Sequence, residues 1–244
     1  MEQNKHLIID QGNTTTKIGV FHNRQLIQSA RVSDDEWLHY FSPHSLPQKG
    51  LVSTVRADLF FPKEFAQHFS LLTRMNEVEM LPISVDYETP NTLGHDRIAN
   101  AVEAAHLHPL KNVLVIDCGS CITSTFIHQG SLKGGSISLG LAMRLKAIHE
   151  FTGKLPLLEV EDLQSEIDLI GKNTKNSILS GIAFGSVHEV DQLIEKYCSQ
   201  FPDLIVILTG GDASFFASRL KYPIFAEPNL TLQGLNEIYI HTAH

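Results

Sequence analysis

The residues best placed to do chemistry are two aspartates in matching surroundings. The segment Leu7-Ile-Ile-Asp-Gln-Gly-Asn-Thr-Thr-Thr16 lies over Leu114-Val-Ile-Asp-Cys-Gly-Ser-Cys-Ile-Thr123 in one register, so that Asp10 falls on Asp117, Gly12 on Gly119, Asn13 on Ser120 and Thr16 on Thr123. Each copy reads as a strand, an Asp at its end, a Gly, a run of hydroxyl or amide side chains, and a second strand. Gly12 and Gly119 permit a tight turn and let backbone approach a ligand closely. Asn13, Thr14, Thr15, Thr16, Ser120 and Thr123 offer neutral hydrogen bonds, and turn amides can form an anion-binding concavity. Lys17 adds a positive charge in the first copy. These parts make a phosphate cradle without the Walker pattern. Two aspartates repel bare phosphate, so the cradle requires cations between carboxylate and phosphate, as in metal-assisted phosphoryl transfer. A single such hairpin would be explained as well by Asp and Asn acting as turn formers; the matched pair favours phosphate.

A third acid lies in Gly94-His-Asp-Arg97, at the start of a segment with helical spacing of Ile98, Ala101, Val102 and Ala105. Asp96 would sit near the positive end of the helix macrodipole. A carboxylate there could orient an attacking hydroxyl and take its proton. The planar fork of Arg97 suits a carboxylate or a phosphate. From this segment alone, the helix terminus is the better account of Asp96, and Arg97 could serve a surface ion pair.

The elements that must carry these groups alternate strand and helix. Strands are expected at 6–10, 17–21, 25–32 and 51–55, and a helix at 94–108. A second series begins with strands at 113–117 and 124–128, continues with a helix at 182–199 and a strand at 204–209, and ends with a helix at 213–220. The strand at 204–209 runs into Gly210-Gly-Asp212, a turn that could also let a ligand approach backbone. The internal repeat predicts an α/β chain of two similar domains, 1–110 and 111–244.

The strand–Asp-x-Gly–strand repeat resembles the acetate and sugar kinase/actin-like ATPase superfamily, and the particular series resembles type III pantothenate kinase. The motifs that carry the resemblance occur in order: Asp10-Gln-Gly-Asn-Thr14, Gly94-His-Asp-Arg97, Asp117-Cys-Gly-Ser-Cys-Ile-Thr123, Gly134-Gly-Ser-Ile-Ser-Leu-Gly140, Asn173-Thr174 with Ser177-Ile178 and Ser180-Gly181, and Thr209-Gly-Gly-Asp212. The resemblance implies two ribonuclease-H-like domains with a cleft between them. It implies ATP-dependent phosphorylation of pantothenate to 4'-phosphopantothenate, opening coenzyme A synthesis, with magnesium, a monovalent cation (potassium or ammonium) and a homodimer. By the same resemblance Asp96 is the catalytic base. Asp10, Gln11, Gly12, Asn13, Thr14, Thr15, Thr16, Lys17 and Ser120 bind ATP, with Asp10 working alongside magnesium. Asp117 binds the monovalent cation, and Tyr87, Gly94, His95, Asp96, Arg97 and Thr174 line the substrate site. Tyr87 could otherwise be a packed loop aromatic and Thr174 a helix N-cap. Ser120, Cys121, His95 and Leu139 stand where the family usually has Thr, Ala, an Ala-like residue and Pro. None removes a charged group the chemistry needs. Two alternatives stay open: a non-catalytic nucleotide-binding regulator of the same fold, and a kinase for another small hydroxy acid.

Composition narrows the field. The 244 residues are 43% apolar with a formal charge of −8, an ordinary globular balance that argues against nonspecific nucleic-acid binding. No apolar run approaches a membrane span of about 18 residues, and the start lacks a signal-peptide layout, so the cytoplasm and no membrane partner are expected. Cys118 and Cys121 form a C-x-x-C without a second pair, which fits two small thiols rather than structural zinc.

Overall fold

The computed structural model describes residues 5–12, 15–69 and 71–242. In chain order the elements are β1 (Lys5–Gln11), β2 (Thr16–His22), β3 (Gln25–Val32), α1 (Trp37–Tyr40), β4 (Lys49–Thr54), α2 (Lys63–Ala66), β5 (Leu71–Arg74), β6 (Ser84–Val85) and α3 (His95–Leu107). There follow β7 (Asn112–Cys118), β8 (Cys121–His128), β9 (Ser131–Leu139), α4 (Leu141–Glu150), α5 (Thr174–Gln200), β10 (Ile205–Thr209), α6 (Ala213–Ala217), β11 (Phe225–Ala226) and α7 (Leu230–Thr242). The chain forms two compact units. One comprises residues 1–109, 130–132 and 229–244, the other residues 110–129 and 133–228. The first unit therefore takes its last helix from the C-terminus, which the arithmetic of the repeat does not register.

In the first unit the sheet order is β3-β2-β1-β4-β5. β2 runs antiparallel to β1 and β3, while β4 is parallel to β1 and to β5. Leu7, Ile8 and Ile9 of β1 have no exposed surface, the unbroken apolar run expected of a central strand covered on both faces. Leu7, Ile9, Ile18, Val20 and Val52 pack on a cluster that includes Trp37, Phe65 and Phe69. α7 packs on β1, β2 and β4 and lies against α3. That helix pair is unusually close: a Cβ at Gly234 of α7 would sit 1.8 Å from the carbonyl oxygen of Ala99 in α3. A buried hydrogen bond from Thr231 Oγ1 to Asn100 Oδ1, 2.9 Å, fixes the same crossing.

The second unit repeats the plan. Its strands follow the order β9-β8-β7-β10-β11, with β8 antiparallel to β7 and with β10 parallel to both β7 and β11. Val113 to Ile116 of β7 are buried like their counterparts in β1. α5 lays Ile178, Leu179, Ile182, Val190 and Ile194 into a core shared with Leu114, Ile116, Val206 and Leu208; each such side chain is worth about 1.5–3 kcal/mol when fully buried.

Three expectations from the sequence change here. The helix expected at 182–199 begins at Thr174, because Asn173 supplies the cap: its Oδ1 accepts the N–H of Asn176 at 2.8 Å. Thr174 is thus the first helical residue and not the N-cap. The helix expected at 213–220 is the shorter α6. Strand pairing also corrects the repeat. Asp10 stands opposite Lys17 in the first hairpin, and Asp117 stands opposite Thr123 in the second. Thr123 therefore occupies the station of Lys17, not of Thr16, because the second turn is the shorter one.

Candidate active site

β1 and β2 present the first turn. The N–H of Gly12 donates to the carbonyl of Thr15 at 3.0 Å and closes it. Asn13 and Thr14 lie outside the described residues. Asp10 is half-buried at the end of β1, beside Ser53 of β4 and Lys17 of β2. Residues directly opposite in an antiparallel pair share a face of the sheet, so Asp10 and Lys17 face one way. Successive residues of a strand alternate faces, and this separates Gln11 and Thr16 from Asp10. Gln11 is fully buried. Its amide is spent on the backbone of Phe60, donating from Nε2 to the carbonyl and accepting the N–H at Oε1 (3.3 Å). Thr16 is buried as well, and its Oγ1 finds no hydrogen-bond partner among the described residues. Of the residues expected to bind ATP, the structure thus turns these two side chains inward, and leaves Asp10, Gly12, Thr15 and Lys17 around the turn.

Sequence reasoning missed Arg56, just beyond β4. Its Nε donates to the carbonyl of Gly12 at 2.8 Å, and Nη1 reaches both carboxylate oxygens of Asp34 at 2.9 and 2.8 Å. No motif signals it, since its partners come from other segments of the chain.

α3 presents the second group of this unit. Gly94 is the N-cap, and the Asp96 carboxylate accepts the N–H of Arg97 at 2.8 Å through Oδ1. A Cβ on Gly94 would lie 2.4 Å from that same oxygen, so glycine leaves room for the carboxylate. Asp96 thus does satisfy a first-turn amide, while remaining only half-buried. Arg97 is 4% exposed, which removes the surface ion-pair reading. Its guanidinium lies over the Tyr87 ring, 5.9 Å from the centroid, within cation–π range. The fold therefore brings Tyr87 and Arg97 together. Burial holds the neighbouring His95 imidazole below its usual range, opposed by the Asp96 charge.

In the second unit the turn at Gly119 and Ser120 is closed by the Gly119 N–H donating to the Cys121 carbonyl at 3.0 Å. The Ser120 side chain is exposed, and its carbonyl accepts the N–H of Gly140 at 3.1 Å. Asp117 lies opposite Thr123 on one side and Thr209 on the other. Gly210 follows with φ +98°, and a Cβ there would lie 2.5 Å from Asp117 Oδ1. The Asp212 N–H donates to the Cys118 carbonyl at 2.9 Å. Burial pushes the Cys118 thiol far up, with the Asp117 and Asp212 charges adding to it. Iodoacetamide near neutral pH should therefore label the partly exposed Cys121 and Cys198 and leave Cys118 until the chain unfolds. Peptide mass spectrometry checks this, and early labelling of Cys118 would contradict it.

Thr174 lines a separate feature of this unit, a cavity of about 750 Å³ whose walls include Leu139, Arg144, Ile148, Ile178 and Ile182. Arg144 is anchored there, donating from Nε to the Leu139 carbonyl at 2.7 Å and pairing with Glu189 at 2.5 Å. Leu139, which departs from the family's usual Pro, is thus a wall of that cavity and immediately precedes Gly140 on the second turn.

The donor set suits hard cations. Asp10 and Asp117 offer carboxylate oxygen, the kind of ligand that magnesium and potassium prefer to nitrogen or sulfur. Among the described residues no group of three or more His, Cys, Asp and Glu could hold a metal ion by itself. A cation at either turn would complete its shell from backbone, water or phosphate.

Comparison with known proteins places the chain in a family. The profile of the family described as type III pantothenate kinase matches residues 6–196. A type III pantothenate kinase of Azobacteroides pseudotrichonymphae is 38% identical over 250 residues, covering 97% of this chain and 96% of the relative. One from Cytophaga hutchinsonii is 41% identical over 234 residues, covering 96% and 97%. Among solved structures, a Campylobacter jejuni protein assigned to the Baf family of transcriptional activators superposes with a TM-score of 0.64 at 20% identity, covering 97% of this chain and 98% of that one. Component A of the (R)-2-hydroxyglutaryl-CoA dehydratase of Acidaminococcus fermentans gives 0.54 at 12% identity, covering 97% and 96%. These structural likenesses speak for the fold: a mixed α/β architecture of the actin-like ATPase and sugar kinase type. The profile match and the near-full-length relatives go further, and the chain belongs to the type III pantothenate kinase family.

Proposed function

We propose that this chain transfers the γ-phosphoryl group of ATP to the terminal hydroxyl of pantothenate, giving 4'-phosphopantothenate and ADP, the first step of coenzyme A synthesis. The observation that carries the reading is the Asp96 carboxylate. It is fixed at the start of α3 by the Arg97 N–H, in the space Gly94 leaves, with the Arg97–Tyr87 stack beside it. Asp96 orients the attacking hydroxyl and takes up its proton as the new P–O bond forms and the bond to the ADP leaving oxygen breaks. Arg97 and Tyr87 bind the pantothenate carboxylate, with Gly94 and His95 lining the same subsite. Thr174 offers its hydroxyl to the substrate.

Magnesium enters with ATP as part of the substrate. Asp10 accepts the metal-bound end of the phosphate chain, Lys17 supplies positive charge on the same face, the turn closed between Gly12 and Thr15 holds the phosphates, and Asn13 and Thr14 offer side-chain hydrogen bonds to them. Ser120 supplies a second contact to ATP. At Asp117 the second hairpin sets neutral Thr123 where the first sets Lys17, and a potassium or ammonium ion bound there would offset charge between this carboxylate and phosphate. Omitting both ions should lower kcat about tenfold or more. A steady-state assay in a sodium or Tris buffer checks this, and unchanged turnover would remove the cation from Asp117.

ADP release in the presence of pantothenate, magnesium and potassium tests the reaction itself. ATP binding without release would point to a nucleotide-binding regulator. Release with another small hydroxy acid but not pantothenate would move the substrate. We further propose a homodimer acting in the cytoplasm. α5 supports the dimer: at Gly181 and Gly185 no described atom beyond the neighbouring residues and the helix's own backbone lies within 4 Å of where a side chain would begin, so a second helix could approach closely. Among the described residues no helix is long and apolar enough to cross a membrane.

A further inference from the structure

We infer that Arg56 is a positioning residue for the nucleotide, acting through the first phosphate turn and anchored in turn by Asp34. The inference rests on the reading above that this turn holds ATP phosphates. The chain enters the turn from β1 through two backbone carbonyls, those of Gln11 and Gly12. Both are taken by the segment that leaves β4: the Gln11 carbonyl accepts the N–H of Val55 at 3.1 Å, and the Gly12 carbonyl accepts Arg56 Nε at 2.8 Å. A carbonyl oxygen facing a phosphate repels it, and a bond from a charged donor both orients the oxygen and cancels part of its negative end.

The guanidinium is held between two partners: besides the Nε bond to Gly12, Nη1 meets both oxygens of Asp34, in the loop after β3, at 2.9 and 2.8 Å, while the backbone N–H of Arg56 donates to Thr54 Oγ1 at 3.1 Å. The side chain is 16% exposed while that of Asp34 is 46% exposed, so the contact to Gly12 is the more protected half of the bridge. Next to it the Gln11 amide grips both backbone polar groups of Phe60. The turn is thus sewn to the stretch after β4 at two successive residues, Gln11 and Gly12. A planar fork can span the Gly12 carbonyl and a carboxylate at once, whereas an ammonium on a flexible stem cannot reproduce that geometry.

The test compares Arg56→Met, Arg56→Lys and Asp34→Asn with Asp10→Asn, measuring KM for ATP, KM for pantothenate and the thermal midpoint of the full chain. Arg56→Met should raise KM for ATP about tenfold with KM for pantothenate near wild type. Arg56→Lys should resemble Arg56→Met, and Asp34→Asn should show a smaller rise of the same kind. A merely structural role would instead lower the midpoint and move both KM values together. An Arg56→Lys enzyme like wild type would also overturn the inference, since it would show that charge without the bridge suffices. If Arg56→Met does not fold, the lysine and Asp34 variants decide. If Asp10→Asn raises KM for ATP and the Arg56 variants do not, the inference falls and the phosphate reading stands; if none does, the phosphate reading itself falls.

Discussion

Replacing Asp96 by Asn should leave ATP binding near that of the wild-type chain and lower kcat by about 10²–10⁴-fold, the usual contribution of a positioned acid or base. The substitution is nearly isosteric. An Asn Oδ1 can still accept the Arg97 N–H that holds Asp96 at 2.8 Å, so the start of α3 keeps its geometry. What disappears is the group able to take a proton from the pantothenate hydroxyl. Losing a carboxylate from the first turn of a helix costs only about 0.3–1 kcal/mol, so the thermal midpoint should move little. Calorimetric titration with ATP and single-turnover kinetics separate the two effects. A variant with near-wild-type turnover would take Asp96 out of the base role, whatever its structural place.

Gly234→Ala should destabilise the first unit by about 1–3 kcal/mol, the range for forcing an extra methyl into a packed contact. Alanine is the better helix former by about 1 kcal/mol, so helix propensity predicts the opposite sign. Sterics decide it: the new Cβ would lie 1.8 Å from the Ala99 carbonyl oxygen, and backbone cannot swing aside as a side-chain tip can. The two helices must separate, which also stretches the buried Thr231–Asn100 hydrogen bond. Trp37 is the only tryptophan, is 1% exposed, and packs edge-on against Phe65 at 5.2 Å between ring centroids. Its fluorescence therefore follows unfolding of this unit in a urea titration. An unchanged midpoint would mean that α3 and α7 can part without cost. Ala99 lies in the same helix as Asp96 and Arg97, so the variant should also lose activity under conditions where it remains folded. Packing of the C-terminal helix α7 and the proposed chemistry at Asp96 are linked through α3.

Much of this was legible in the residues. Leu7-Ile-Ile and Val113-Leu-Val-Ile read as central strands because they are apolar on both faces, and they are β1 and β7. Gly94-His-Asp-Arg97 reads as a helix start, and Gly94 is the cap of α3. Other features were not legible, for identifiable reasons. Residues 174–181 contain Asn, Ser and Gly, weak helix formers, yet burial of Ile178 and Leu179 draws them into α5. Thr16 and Thr123 align in sequence, but a shorter second turn shifts the pairing and puts Thr123 opposite Asp117. Gln11 belongs to the motif as a string of letters, while strand alternation turns its side chain inward to Phe60.

By itself, then, the amino-acid order determined the kind of chemistry. It set two acidic glycine turns in duplicated strand pairs and a third acid opening a helix, because local periodicity and residue type are properties of short segments. Only tertiary structure decided that Gln11 and Thr16 turn inward, that α7 closes the first unit, and that Arg56 and Asp34 brace its turn. Hydrogen bonds and close packing between segments far apart in the chain depend on distance in space, and no spacing along the sequence encodes that distance.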